Sequence, residues 1–227
     1  MKSSLVIFLH GVRADGSQLA PLGDDWRTTL PTTAFAAPDA PFDGLRGGRQ
    51  WFSLDGVTRE SRPQRLAAAR PAFDALLGSV IADHGLSSDL SRVALVGFSQ
   101  GAMMALDAVV SGRWPIACVV AFSGRLASPP PLAPRPGAAA LLVHGADDPA
   151  IPAQESRDAA VALQALGVRV RVEILPGVSH KVTPEGAALA GSFLAECLSP
   201  AADHRRPESG KSTGPVSVQP NPRPFWR

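Results

Sequence analysis

Short apolar runs alternate with segments of helical character along most of the chain. Most of the apolar runs are continuous and do not alternate with polar residues, which is typical of parallel strands covered on both faces. We predict strands over 4–9, 34–37, 92–97, 117–122, 140–144 and 168–175. We predict helices over 17–30, 63–83, 100–110, 153–166 and 183–198. Pro71 is expected to kink the second helix or split it in two, because proline cannot donate the helical hydrogen bond.

This order of elements predicts a doubly wound α/β fold, with a mostly parallel sheet and helices on both of its faces. In such folds the functional site lies at the carboxyl ends of the strands. The pattern extends from residue 1 to residue 198, which we interpret as one α/β domain. The remaining segment, 199–227, is rich in proline, serine and charge, and we predict a disordered tail there.

Composition fits a single globular domain. The chain has 227 residues, of which 45% are hydrophobic, so it can bury one sizeable core. The net charge is +2, but the tail alone holds five basic and two acidic residues, so the positive excess lies there. The body has no basic stripe and no nucleic-acid motif, so we do not expect nucleic-acid binding.

Other sequence signals exclude several classes of protein. Cys118 and Cys197 are isolated from one another in the sequence and are expected to be unpaired thiols. No spacing of metal ligands occurs, and we expect neither a metal nor a cofactor. The apolar run at 5–9 is too short for a signal peptide, and no stretch reaches transmembrane length. A cytoplasmic protein without integral membrane association is therefore expected.

The segment Gly97-Phe98-Ser99-Gln100-Gly101 is the strongest chemical signal. It matches G-x-S-x-G and lies between a predicted strand and a predicted helix, which is the context of a nucleophile elbow. Ser99 is the candidate nucleophile, and it needs a general base that is oriented by a carboxylate.

Candidates for the acid and the base follow in the chain order Ser, Asp, His that such hydrolases use. Asp147 and Asp148 come directly after a predicted strand, and His180 ends the loop after the next one. An Asp pair at this position can also form a turn or cap a helix, which is the role expected for Asp147. His144, at a strand end, is expected to be structural.

An oxyanion hole needs two backbone donors. One is expected from the N–H of Gln100, directly after the nucleophile, and the other from the loop after the first strand. There we assign the N–H of Val12, because Gly11 lets the backbone approach closely. Trp51, Phe52 and Leu22 are candidates for the apolar wall of the substrate site, although they are equally suited to the core.

The chain resembles the phospholipase/carboxylesterase family of α/β hydrolases, which includes acyl-protein thioesterases. The resemblance covers residues 5–198 and rests on short motifs in one order: Phe8-Leu9-His10-Gly11, Ala37-Pro38-Asp39-Ala40-Pro41-Phe42, Gln50-Trp51-Phe52-Ser53, the elbow, Phe122-Ser123-Gly124, His144-Gly145, Asp148-Pro149-Ala150-Ile151-Pro152 and Gly177-Val178-Ser179-His180. In that family the acid is the Asp before the Pro, which favours Asp148.

The chain departs from the family in two places. The elbow is usually followed by a second glycine, and Ala102 stands there. The first loop usually reads like Gly-Leu-Gly-Asp, whereas this chain has 11–15 as Gly-Val-Arg-Ala-Asp, so Arg13 adds a charge near the expected mouth of the site.

These observations predict a serine carboxylesterase that hydrolyses short- to medium-chain esters through an acyl-enzyme on Ser99. The segment between Ser99 and Asp148 is too short to hold a cap domain, so the site should be an open groove. One alternative is an acyl-protein thioesterase or lysophospholipase that acts on long acyl chains. The other is a non-catalytic scaffold used for binding, which the complete set of Ser99, Asp148 and His180 disfavours. A small acyl ester or thioester is the expected partner, and the protein is expected to be a monomer or a homodimer.

Overall fold

A central sheet of six parallel strands organises the molecule. The computed structural model describes residues 3–44 and 47–199. Eight strands occur there: β1 (Ser4–Leu9), β2 (Thr33–Ala36), β3 (Phe42–Asp43), β4 (Arg49–Gln50), β5 (Val93–Phe98), β6 (Cys118–Phe122), β7 (Ala139–Gly145) and β8 (Arg169–Leu175). The six-stranded sheet has the order β2-β1-β5-β6-β7-β8, and β3 and β4 form a separate antiparallel hairpin. The order reverses at β1, as in doubly wound folds.

Helices cover both faces of this sheet. They are α1 (Pro21–Asp25), α2 (Arg62–Asp83), α3 (Gln100–Val110), α4 (Gln154–Ala165) and α5 (Pro184–Leu198). Successive side chains of a strand point to opposite faces. In β1, accordingly, Leu5 and Ile7 pack into the core shared with α2, α3 and α4. Val6 and Phe8 pack into the core shared with α1 and α5. The predicted α/β layering is confirmed.

The prediction for 17–30 is wrong in extent. Only a 3₁₀ turn at Gly16–Gln18 and the five-residue helix α1 form there. Pro21 lacks an N–H, which costs little in the first turn of a helix, so α1 begins there and the 3₁₀ turn before it stays separate. The other predicted helices and the six sheet strands are confirmed to within a residue or two at each end.

Two local features differ from the sequence expectations. Helix α2 is one continuous element of 22 residues with Pro71 inside it, so, of the predicted kink or split, the split does not occur. The hairpin of β3 and β4 was not predicted, because strands of two residues leave no recognisable hydrophobic period.

Strand β8 forms one edge of the sheet and is largely solvent-accessible. Arg169 and Arg171 are exposed on it, and Arg171 Nη2 lies 3.1 Å from Glu196 Oε2 on α5. Apart from Ser199, the predicted tail at 199–227 lies outside the described residues. Within the described part of the chain, no helix is long and apolar enough to cross a membrane.

Candidate active site

Ser99 stands at a sharp turn between β5 and α3, at the carboxyl edge of the sheet. Its φ and ψ are 53° and −111°, a left-handed conformation that is rare for a residue with a side chain. The N–H of Ser99 donates to the carbonyl of Phe122 on β6 (2.9 Å), which fixes the turn to the sheet. Such strain at a functional position persists only when the surrounding structure holds it in place.

Glycines make this turn possible by close approach of the backbone. A Cβ at Gly97 would lie 2.4 Å from the carbonyl oxygen of Gly101, and one at Gly101 would lie 2.0 Å from that of Leu9. Both distances are far inside van der Waals contact. The elbow therefore requires both outer glycines of the motif.

The departure from the family at Ala102 is accommodated by Gly124. A Cβ on Gly124 would lie 2.5 Å from the Cβ of Ala102, so the missing side chain at one position makes room for the methyl group at the other. Ala102 is fully buried in the core. The substitution thus leaves the geometry of the elbow intact.

His180 and Asp148 are joined by a short hydrogen bond. Nδ1 of His180 lies 2.6 Å from Oδ2 of Asp148. Burial works to raise the pKa of Asp148, but hydrogen bonds from Ile151 N–H, His180 and Ala150 N–H outweigh it and hold the pKa below its ordinary value. Since an ionised carboxylate only accepts, Nδ1 of His180 must donate. Its Nε2 is then free to accept a proton.

Four contacts hold the carboxylate of Asp148. Oδ1 accepts from the N–H groups of Ala150 (2.8 Å) and Ile151 (2.9 Å). Oδ2 contacts His180 and also lies 3.2 Å from Nε2 of His144. The side chain of Asp148 is fully buried, whereas the neighbouring Asp147 is exposed. The structure therefore brings the predicted acid, and not its neighbour, to His180.

Ser99 and His180 line one cleft of about 320 Å³. Phe98, the residue before the nucleophile, packs on the imidazole of His180 with ring centroids 4.8 Å apart. Other apolar side chains of the cleft come from several loops and from α3: Val12, Leu54, Val57, Met103 and Ile151. The volume lies at the small end of the range for ligand pockets.

The two predicted oxyanion donors also border this cleft. Val12 and Gln100 both line it beside Ser99. The N–H groups on either side of Val12 are used, that of Gly11 by Gln18 Oε1 (2.8 Å) and that of Arg13 by the Arg49 carbonyl (2.8 Å). No described residue accepts from the N–H of Val12. The N–H of Gln100 begins α3 and so has no acceptor within the helix.

The side chain of Gln100 has a separate structural role. Its Oε1 accepts from the N–H of Trp51 (2.9 Å) and its Nε2 donates to the carbonyl of Phe52 (2.7 Å). Trp51 Nε1 in turn donates to the carbonyl of His10, next to the oxyanion loop (2.8 Å). The elbow, this aromatic segment and the first loop are thereby tied together.

None of the three predicted wall residues lines the cleft that holds Ser99. Trp51 is 1% exposed and packs edge-on against Phe73 in the core. Phe52 borders a separate cavity of about 500 Å³, together with Phe42. Leu22 packs on the core at the α1 face. We therefore assign packing roles to Trp51, which is buried, and to Leu22, whose partly buried side chain packs on the core beside α1.

Sequence reasoning missed several residues of the cleft. Arg62, at the start of α2, and Arg125, after β6, both line it. Leu54, Val57 and Met103 provide apolar lining in place of the predicted residues. The sequence offers a signal only for Met103, since it lies one helical turn after Ser99.

Comparisons with known proteins show the family of this chain. The model of the phospholipase/carboxylesterase family matches residues 1–198. Esterase YpfH of Escherichia coli is 30% identical over 179 residues, covering 78% of this chain and 76% of that protein. Acyl-protein thioesterase 1 of Gibberella zeae is 26% identical over 219 residues, covering 87% and 92%.

A solved structure gives the same result at the level of the fold. The crystal structure of esterase PE8 is 36% identical to this chain, with a TM-score of 0.74, and the match covers 86% of this chain and 93% of that one. Among the described residues no inserted domain covers the cleft. The protein belongs to the phospholipase/carboxylesterase family of α/β hydrolases and is a serine hydrolase.

Proposed function

We propose that the protein is a carboxylesterase that hydrolyses short- to medium-chain esters through an acyl-enzyme on Ser99. The observation that carries this proposal is the hydrogen bond between His180 and Asp148 (2.6 Å), with His180 and the strained Ser99 lining the same cleft. A serine hydroxyl becomes a useful nucleophile only beside such a base.

The reaction proceeds in two halves. Oγ of Ser99 attacks the ester carbonyl while Nε2 of His180 takes the hydroxyl proton, and the carbonyl oxygen becomes an oxyanion that accepts from the N–H groups of Val12 and Gln100. His180 then gives its proton to the departing alcohol, which leaves the acyl group on Ser99. In the second half water attacks that ester, and His180 again receives the proton and then returns it to Ser99.

Asp148 does not change its protonation state during this cycle. It accepts from Nδ1 of His180 and so leaves Nε2 as the ring nitrogen that takes the proton of Ser99. Its negative charge also stabilises the imidazolium that forms in each half-reaction. The low pKa of Asp148 supports this role, because the carboxylate stays ionised throughout the neutral range.

The preference for short chains is supported by the size of the cleft. Its volume of about 320 Å³ suits a short acyl group beside Ser99. The long-chain alternative is supported by relatives that are named acyl-protein thioesterase, and the test below includes it as an outcome. The expected cytoplasmic location and the expected monomeric or dimeric state stay predictions.

The test is hydrolysis of p-nitrophenyl esters from acetyl to palmitoyl by the wild-type protein and by Ser99→Ala. We expect a maximum in kcat/KM at short chains and loss of turnover in the variant, because the acyl-enzyme cannot form. Ser192→Ala, on the exposed face of α5, is the matched control and should retain full activity.

Two other results would change the assignment. A maximum at long chains would favour the thioesterase or lysophospholipase alternative. An active Ser99→Ala protein would show that Ser99 is not the nucleophile.

A further inference from the structure

Three arginines line the cleft that contains Ser99 and His180. Arg13 comes from the loop after β1, Arg62 from the first residue of α2, and Arg125 from the loop after β6. They are far apart in the sequence, so only the fold brings them together. No Asp or Glu occurs among the described residues that line this cleft.

The positive charge of this cluster is only partly balanced. Arg125 pairs with Glu155 at 3.1 Å. Within the described part of the chain, neither Arg13 nor Arg62 forms an ion pair. Glu155 and Glu60 attract the guanidinium of Arg62 electrostatically, but neither forms a direct ion pair with it. The cleft therefore carries excess positive charge next to the nucleophile.

Two of these guanidinium groups are also incompletely satisfied. Burial, followed by repulsion from Arg125, lowers the pKa of Arg62, which is the direction expected for a cation without an anionic partner. Nε of Arg125 is buried and has no hydrogen-bond partner among the described residues. A buried donor without an acceptor is costly unless a ligand supplies one.

The backbone at Arg13 adds an independent observation. Its φ is 65°, in the left-handed region that glycine adopts readily and other residues do not. The carbonyl of Arg13 packs so closely on Gly48 that a Cβ there would lie 2.2 Å from it. A residue with a charged side chain thus has a backbone conformation that favours glycine. Strain of this kind clusters at functional sites.

We propose that the esters this enzyme hydrolyses carry an anionic group near the scissile carbonyl, and that Arg13, Arg62 and Arg125 bind this group. A carboxylate or a phosphate would have the required chemistry, since planar guanidinium groups bind both through paired hydrogen bonds. The inference rests on the proposed esterase activity and adds the class of substrate.

The proposal separates this chain from an enzyme for plain fatty-acyl groups. An uncharged acyl chain would leave the excess charge of the cleft unpaired, whereas an anion near Ser99 would satisfy it. The anion can belong to the acyl part of the ester, as in a dicarboxylic half-ester, or to its alcohol part. The two arms of the experiment distinguish these sources.

The experiment compares matched ester pairs in which a free carboxylate is replaced by its neutral methyl ester. The acyl arm uses p-nitrophenyl hemiadipate and its neutral methyl ester. The alcohol arm uses the butyrate esters of 4-hydroxybenzoate and of methyl 4-hydroxybenzoate. We expect the wild-type protein to have the higher kcat/KM for the anionic member in one arm, and we expect this preference to shrink as salt is added.

Variants of the arginines assign the effect to the cleft. Arg62→Gln should lower kcat/KM for the preferred anionic ester about 10- to 100-fold, the usual value of a charge-assisted hydrogen bond, and change the neutral ester less than about threefold. Arg13→Gly should act in the same direction, and it is expected to fold because glycine suits φ 65°. Arg27→Gln, at an exposed ion pair on the surface, removes the same charge and should change neither ester.

The outcomes distinguish this inference from the proposed function. If the wild-type protein hydrolyses the neutral ester as well as the anionic one in both arms, the esterase assignment stands and the anionic substrate is excluded. If Arg27→Gln reduces the anionic rate as much as Arg62→Gln, the effect is one of overall charge and the proposed site is wrong. If no ester of either kind is hydrolysed by the folded protein, both the function and its substrate class fail.

Discussion

Asp148 shows how a single side chain can be held by contacts that the sequence reveals only in part. The motif predicted its pairing with His180, and the hydrogen bond of 2.6 Å agrees with that role. The contact of 3.2 Å from His144 was not predicted. The sequence pattern, a histidine before a glycine at a strand end, predicts a structural role for His144. Nothing in that pattern identifies its partner. Its Nε2 also lies 2.8 Å from the carbonyl of Ile151, so the imidazole links the two ends of the acid loop.

A substitution at this position tests the acid directly. In Asp148→Asn the amide can donate to His180, which favours the wrong tautomer of the imidazole. We expect kcat to fall by about three to four orders of magnitude, as in other triads of this kind. Asp147→Asn is the matched control, since Asp147 is adjacent and exposed, and it should retain activity.

Steady-state kinetics on a short-chain ester measures both variants, and thermal unfolding checks that each is folded. Equal loss of activity in the two variants would mean that the acid has been misassigned.

The helices α2 and α3 are joined by a network of charges around one buried carboxylate, which the hydrophobic pattern could not predict. Asp107 on α3 is fully buried and accepts from Nε and Nη2 of Arg70 on α2 at 3.0 and 2.8 Å. Arg113 donates to Asp107 at 2.9 Å and also to Asp74 on α2. Burial works to lower the pKa of Arg113, but these hydrogen bonds outweigh it and raise the pKa above its ordinary value.

This network predicts that a buried aspartate contributes more to the free energy of unfolding than an exposed one. Asp107→Asn keeps the shape of the side chain but leaves two arginines without their charged partner. We expect it to lower the free energy of unfolding by about 3 kcal/mol. Asp24→Asn, which removes the exposed partner of Arg27, should cost less than about 1 kcal/mol. Denaturant unfolding of both variants measures the difference, and equal losses would show that the network contributes no more than a surface pair.

The elements themselves followed from the sequence where the pattern was long and periodic. Helix α3 occurs at its predicted bounds because a good helix-forming segment follows directly after the elbow. The predicted helix over 17–30 is wrong in extent, because Pro21 has no N–H and begins a short helix within a segment of helical composition. The lining of the cleft by Arg62 and Arg125 could not be predicted, because their distance from Ser99 depends on how α2 and the loop after β6 pack on the sheet.

At the scale of the whole molecule, two fully buried histidines couple stability to pH. His10 accepts from the N–H of Ala40 through Nε2 and bonds the Gly11 carbonyl through Nδ1. His144 lies between Ile151 and the hydroxyl of Ser156. In both, burial is the largest effect and lowers the pKa below the ordinary value of 6.5.

The sign of the coupling follows from this direction. Below pH 6.5 the unfolded chain binds protons on these imidazoles while the folded protein resists doing so, and the free energy of unfolding therefore falls as the pH falls through this window. Each histidine contributes at most about 1.4 kcal/mol per pH unit.

We expect a shallower slope in His144→Gln than in the wild-type protein. Ser192→Ala, which removes no titratable group, is the control and should not change the slope. Chemical denaturation between about pH 7.5 and pH 5.5 measures this slope. The range spans about one unit on each side of the ordinary pKa of histidine. A wild-type stability that is constant across this range would contradict the coupling.

The charged border of β8 has a further consequence for the molecule. A parallel sheet normally exposes unpaired N–H and C=O groups along its last strand, and these can pair with a strand of another chain. Here Arg169 and Arg171 are exposed on that strand, and Arg171 is held against Glu196 on α5. An incoming strand would have to desolvate these charges before its backbone could pair. These charges therefore protect the sheet from the addition of further strands at this edge, which lies opposite the β2 edge.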